Sequence, residues 1–137
     1  MGNEVATKND LGIPLFMVPV EAGFPSPADD YLEGKLDLNE YLIKHPAATL
    51  FVKAPDDSMI KAGIFPGDIL IVDRSIKPTD KKVVIALIDG GFSVRRIRKI
   101  KDKVFLVPEN ERDKSIQVEP EMDYEILGVV TNVIHPL

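Results

Sequence analysis

Chemistry in this chain can sit at only a few places. Asp57-Ser58-Met59 follows a strand-forming run at 49–54 and the turn Pro55-Asp56-Asp57, and it precedes Ile60. A serine exposed at the start of a short helix has backbone N–H groups near any oxyanion that develops beside it. The competing reading is a helix N-cap, a common use of serine, and the tripeptide alone does not decide between them. Downstream, Ser93-Val94-Arg95-Arg96 sets a hydroxyl and two guanidinium groups within four residues. Upstream, Ala22-Gly23 lies in Glu21-Ala22-Gly23-Phe24-Pro25-Ser26-Pro27, an irregular and exposed segment by composition. Such a segment fits a protease groove, which must receive an extended backbone, or serves as a plain linker.

Other chemistries find little support. His45 and His135 lie far apart, each precedes a proline, and no cysteine or His-x-x-x-His spacing accompanies them, so no metal site is expected. Gly90-Gly91 reads as a hairpin turn and not as a phosphate-binding loop, because no helix follows it. Asp29-Asp30 and Asp56-Asp57 suit turn capping better than an acid/base pair. A Ser-His-Asp triad lacks a recognisable elbow around any serine.

These groups must be positioned by short elements. Residues 1–12 are polar and aperiodic and read as a mobile arm. Residues 13–20 are apolar but contain Pro14 and Pro19, so they can be extended yet cannot form a central strand. Residues 36–43 suit a strand or a short helix, with a helical turn favoured before His45-Pro46. Strands are expected at 49–54, 68–73, 82–88, 92–97, 104–107 and 124–134, with Pro66-Gly67 and Asp89-Gly90-Gly91 as turns. Short strands separated by turns indicate a mainly β, compact domain of bent sheets. The chain shows no internal repeat and no DNA-binding helix-turn-helix.

The bulk numbers agree with a soluble globular domain. The 137 residues are 45% hydrophobic and 28% charged, enough for one buried core. No apolar run approaches the roughly 20 residues of a membrane span, and the polar start lacks the order of a signal peptide. The absence of cysteine excludes disulfides and thiolate chemistry and fits a cytoplasmic location. A net charge of −5 argues against a molecule-wide phosphate-binding surface, leaving residues 95–103 as a local basic stretch that reads as a solvated hairpin edge.

Taken in order, Phe24-Pro25-Ser26-Pro27-Ala28, Leu36-Asp37-Leu38-Asn39, His45-Pro46-Ala47-Ala48-Thr49, Phe51-Val52-Lys53-Ala54, Asp57-Ser58-Met59-Ile60, Gly67-Asp68, Leu70-Ile71-Val72-Asp73 and Gly128-Val129-Val130 are collinear over residues 13 to 135. On these stretches the chain resembles the LexA-type family of self-cleaving serine peptidases, and within it the UmuD branch of SOS mutagenesis proteins. The lack of a DNA-binding domain before the cleavage segment favours that branch over a LexA-type repressor or a fragment of one. The resemblance implies a LexA/signal-peptidase-like domain at 28–137 and an arm at 1–27. It implies a homodimer whose arm is cut at Ala22-Gly23 when a RecA filament on single-stranded DNA promotes self-cleavage. Ser58 falls on the nucleophile, Asp57, Ser58 and Met59 on the oxyanion region, and Arg95 on the general-base lysine. The cleaved dimer would bind the catalytic subunit of a Y-family DNA polymerase for translesion synthesis. No cofactor, no membrane and no direct sequence-specific DNA contact is implied.

Three positions depart from that pattern. A lysine serves as base because burial lowers its pKa from about 10.4 towards 7–8. An arginine starts near 12.5–13.8, so the same poise needs about 6 units, roughly 8 kcal/mol. Arg95 is therefore expected to stay charged and not to activate Ser58, although it could orient it. Asp56 stands where the family has glycine, and Lys81-Lys82 where it usually has Gly-Asp. Together these changes predict weakened or lost self-cleavage. Lys99 or Lys101 could substitute only through a bulge that shifts the strand register. A pseudo-peptidase regulator that holds an arm without cutting it is the competing reading.

Overall fold

The computed structural model describes residues 12–16 and 32–137, with side-chain surroundings from residue 36 onward. Contacts divide the chain into two compact units, Met1–Lys44 and His45–Leu137.

In the first unit, β1 (Gly12–Phe16) pairs antiparallel with β2 (Leu32–Asp37), and the register slips between Pro14 and Phe16. Pro14 lacks a ladder donor, so its place in a two-stranded sheet, where every strand is an edge, matches the expectation of an extended, non-central segment for the described residues 13–16; residues 17–20 lie outside the described residues. Asp37 ends β2 and caps α1 (Leu38–Leu42), accepting the Asn39 N–H at 3.0 Å. Of residues 36–43, Leu36 and Asp37 thus close a strand and Leu38–Leu42 take the helical alternative.

The second unit is a seven-stranded antiparallel sheet. Its strands are β3 (Thr49–Lys53), β4 (Ile69–Asp73), β5 (Val83–Ile88), β6 (Gly91–Ile100), β7 (Lys103–Val107), β8 (Ile116–Gln117) and β9 (Tyr124–Ile134), in the order β3-β4-β9-β5-β6-β7-β8. The sequence anticipates all but β8, which has only two residues and no apolar run of its own. β9 crosses the middle and carries two register shifts, opposite Ile71/Val72 and opposite Ile85/Ala86. Each bulge adds bend and twist to the sheet.

Both faces of β5 are covered. Ile85 joins Ala54, Met59, Ile64, Leu70, Val72 and Val94 in one core. Val84 and Ala86 join Ile97, Leu106 and Val129 in another. On β9, Gly128 lies so close to β4 that a Cβ there would stand 2.7 Å from Val72 Cγ1 and 3.1 Å from the Asp73 carbonyl oxygen. The β5–β6 hairpin closes through Asp89-Gly90, both at positive φ (47° and 85°), as a two-residue turn of that hand requires. Among the described residues no helix is long and apolar enough to cross a membrane.

Candidate active site

The site begins with the chain leaving β3. Ala54 is buried in the first core, Pro55-Asp56-Asp57 turns, and Met59 re-enters the same core with no exposed surface. The Asp56 carboxylate makes the turn by accepting the Ser58 N–H through Oδ1 at 3.1 Å. Ser58 is therefore pinned between two anchored neighbours and is only 1% exposed. This corrects the expectation of an exposed serine opening a helix. The short 3-10 turn is Ile60–Ala62, its N-cap is Met59, and the Ser58 hydroxyl caps nothing.

Arg95 comes from the middle of β6, opposite Val84, in a strand whose register is unbroken with β5 from Gly91 to Arg96 and with β7 from Arg96 to Ile100. Val94 points into the first core, and Arg95 is itself buried. Its Nη1 donates to the Val94 carbonyl at 2.9 Å and faces Asp56 Oδ2 at 3.5 Å. Its Nε has no partner among the described residues. Ser93, two residues earlier, donates its hydroxyl to the same Asp56 Oδ2 at 3.0 Å. Asp56 thus joins the two sequence-predicted residues, Ser58 through one oxygen and Arg95 through the other. No bulge brings Lys99 or Lys101 to this point: Lys99 is exposed with its N–H on Asp80, and Lys101 lies beyond the end of β6.

The third side of the site is a turn that the sequence reading passed over. Glu109 donates its backbone N–H to the Ser58 carbonyl at 2.6 Å and accepts the Lys61 N–H at 2.9 Å, so the chain after β7 lies against the Ser58 segment. Asn110 Oδ1 accepts the N–H groups of Arg112 and Asp113, and Asn110 Nδ2 donates to Asp113 Oδ2 at 3.0 Å and to the Asp57 carbonyl at 3.3 Å. Asp113 Oδ2 accepts the Ser58 hydroxyl at 2.7 Å. The hydrogen bonds from Ser58 and Asn110, reinforced by the charges of Arg112 and Arg95, hold the Asp113 carboxyl below its ordinary pKa despite some desolvation. Arg112 also pairs with Asp57 at 2.6 Å. The available signal was Asn110 three residues before Asp113, a turn-forming spacing, but nothing local reveals a contact 55 residues away.

The basic stretch 95–103 is only partly a solvated edge. Arg95 is buried, Arg96 pairs with Glu109 at 2.6 Å and Arg98 with Asp80 at 3.1 Å, while Lys99, Lys101 and Lys103 are exposed. Ala22-Gly23 and Asp29-Asp30 lie outside the described residues. Among the described residues no group of three or more His, Cys, Asp or Glu could hold a metal. The two histidines serve carboxylates instead: His45 bonds Asp73 at 2.6 Å and His135 bonds Asp68 at 2.7 Å.

The chain is similar to known proteins over most of its length. The chain is 48% identical over 122 residues to protein ImpA of Salmonella typhimurium, covering 89% of this chain and 83% of that protein. To protein SamA of Salmonella typhimurium strain LT2 the identity is 46%, over 89% of this chain and 84% of that one. To protein MucA of Escherichia coli it is 37% over 128 residues, 91% of this chain and 87% of that one. The family profile described as Peptidase S24-like matches residues 14–131. The profile match over most of the chain, together with these identities, makes the chain a member of the Peptidase S24-like family, on its UmuD-like branch.

Proposed function

We propose that this protein is a UmuD-like accessory subunit of a Y-family translesion DNA polymerase in the SOS response, whose Ser-Lys self-cleavage at Ala22-Gly23 is impaired by Arg95. One observation carries the impairment: the cation at the base position is a buried guanidinium turned onto Asp56, while the Ser58 hydroxyl is turned onto Asp113. A serine nucleophile needs a neighbour that can take its proton, and a guanidinium at neutral pH has no free lone pair for it. The dimeric protein would engage a RecA filament on single-stranded DNA and the polymerase subunit in the cytoplasm, with the arm uncut.

The test is a cleavage assay on the purified chain, with RecA, single-stranded DNA and a nucleoside triphosphate, and separately at pH about 10, where an ordinary lysine has begun to lose its proton. The parent is expected to stay whole, and Arg95→Lys to be cut between Ala22 and Gly23, as read by mass spectrometry, unless Ser58→Ala is added. Cleavage of the parent at that bond, abolished by Ser58→Ala, would overturn the impairment. Co-purification with a Y-family catalytic subunit tests the polymerase role, and its absence with both cut and uncut forms would overturn that role.

A further inference from the structure

We infer that Asp56 and Asp113 form a carboxylate lock on the Ser58 cleft, which restrains the serine independently of the residue at position 95. The inference rests on the reading of the cleft as a dormant peptidase site. A serine peptidase needs three groups free: the hydroxyl to attack, an N–H to meet the developing oxyanion, and a base to take the proton. Here carboxylates occupy all three. The Ser58 hydroxyl is held by Asp113 at 2.7 Å, the Ser58 N–H by Asp56 Oδ1 at 3.1 Å, and the cation at position 95 faces Asp56 Oδ2 at 3.5 Å.

The lock is built and not incidental. An anion sitting on the Ser58 N–H has the charge and the place that an oxyanion would need. Asp113 reaches Ser58 because the turn around it is clamped, by Glu109 onto the Ser58 carbonyl and by Asn110 onto both the Asp57 carbonyl and Asp113 itself. Asp113 is a poor candidate for a substitute base. Its carboxyl is held below the ordinary range, so it grips the hydroxyl proton without taking it. Asp113 and Asp56 are therefore positioning residues that hold the serine away from reaction.

Asp56 has a second effect once position 95 carries a lysine. A carboxylate within a few ångströms stabilises the ammonium and raises its pKa, the opposite of what a base requires. Arg95→Lys alone should therefore recover only part of the reactivity.

The experiment follows adduct formation at Ser58 by intact mass with a small alkyl fluorophosphonate, across pH about 6–10, the range in which a lysine base titrates. The proteins are Ser58→Ala, Arg95→Lys, and Arg95→Lys combined with Asp113→Ala, with Asp56→Gly, and with both. Each carboxylate removal is expected to speed labelling about tenfold or more over Arg95→Lys, within the range proton-transfer groups contribute. Asp56→Gly should also move the midpoint of the rate profile down by about one pH unit or more, which a purely structural change would not do. Asn110→Ala in the Arg95→Lys chain frees Asp113 without altering Ser58 or position 95. It should accelerate labelling in the same direction, and so covers the case in which Asp113→Ala fails to melt cooperatively. If no carboxylate or Asn110 change outpaces Arg95→Lys, the lock is wrong. When those rates all exceed that of Ser58→Ala, the dormant-peptidase reading survives that failure; when they all equal it, both fall.

Discussion

Two pairs of hydrogen-bonded aspartates in this domain differ in what they hold. At the ends of β4, Asp68 and Asp73 are buried and each accepts a nearby backbone N–H, from Phe65 at 2.9 Å and from Ser75 at 2.9 Å. Each then takes an imidazole from far along the chain, His135 and His45 respectively, so that β4 is tied to the two ends of the unit. In the Ser58 cleft, Asp56 and Asp113 take a hydroxyl, the N–H beside it and a buried guanidinium. The side chain is the same in both regions. What differs is whether its partners would otherwise face solvent or react, and that makes one set scaffold and the other restraint.

The comparison is broken most severely at Asp56. Removing it strands Arg95, which cannot lose its charge, in a site where its Nε already lacks a protein partner. Asp56→Ala should cost about 3 kcal/mol of stability by denaturant unfolding. In an Arg95→Met background the same change should cost about 1 kcal/mol, because no buried charge is left behind. Equal costs in the two backgrounds would mean that the 3.5 Å ion pair contributes nothing and that Asp56 acts through its hydrogen bonds from Ser58 and Ser93.

At the β4 end the expected loss is smaller and has no charge to strand. Asp73→Ala removes the acceptor for the Ser75 N–H, the Ser75 hydroxyl at 2.6 Å and His45. Ser75 and His45 are exposed and can turn to water, so about 2 kcal/mol is expected, with cleft reactivity unchanged.

The same residue sets an acid limb. Burial pushes the Asp73 carboxyl up, but the hydrogen bonds from Ser75 and His45 outweigh it and bring the pKa down to about 2. A carboxyl depressed on folding binds fewer protons folded than unfolded below pH about 4, so its contribution is complete above that value and is lost as pH falls towards about 2. Asp68 moves in the same direction. Asp73→Asn should flatten the stability profile between pH about 4 and 2 and leave its slope unchanged above pH about 5. An unchanged acid limb in Asp73→Asn would assign acid sensitivity to the other depressed carboxyls, such as Asp68 and Asp113.

Much of the scaffold is legible in the sequence because it depends on local patterns. β9 is bounded as expected, Asp89-Gly90 marks the β5–β6 hairpin, and a helical turn forms before His45-Pro46. Ser58 and Arg95 are legible only through the order of stretches around them, and the structure joins them through Asp56, which by type alone reads as a turn cap. That reading is half of the truth: one oxygen caps the turn and the other faces Arg95. Asp113 is illegible because its partner is distant in sequence and its neighbours, Glu111-Arg112 and Lys114, look like a solvated charged loop. The burial of Ser58 is missed for the same reason, since it depends on the turn that carries Asp113.

The smallest expected effect separates backbone strain near the cleft from the lock itself. Lys81 sits at φ 76°, a left-handed conformation that glycine adopts freely and a lysine does not. Its backbone is fixed there by an N–H to the Ile97 carbonyl at 2.8 Å and by its own carbonyl, which accepts Arg96 Nη1 at 2.8 Å. Arg96 in turn holds Glu109, whose N–H grips Ser58, so strain at position 81 has a route to the cleft. Lys81→Gly removes the Cβ clash but enlarges the freedom of the unfolded chain, and the two effects oppose each other. A net gain of about 0.5 kcal/mol is expected, read as a rise in thermal midpoint of a few degrees. Fluorophosphonate labelling in an Arg95→Lys background should be unaffected. If Lys81→Gly accelerates labelling as much as the loss of Asp113 does, the restraint on Ser58 is transmitted through the β5–β6 backbone, and the two sets of aspartates no longer differ in kind.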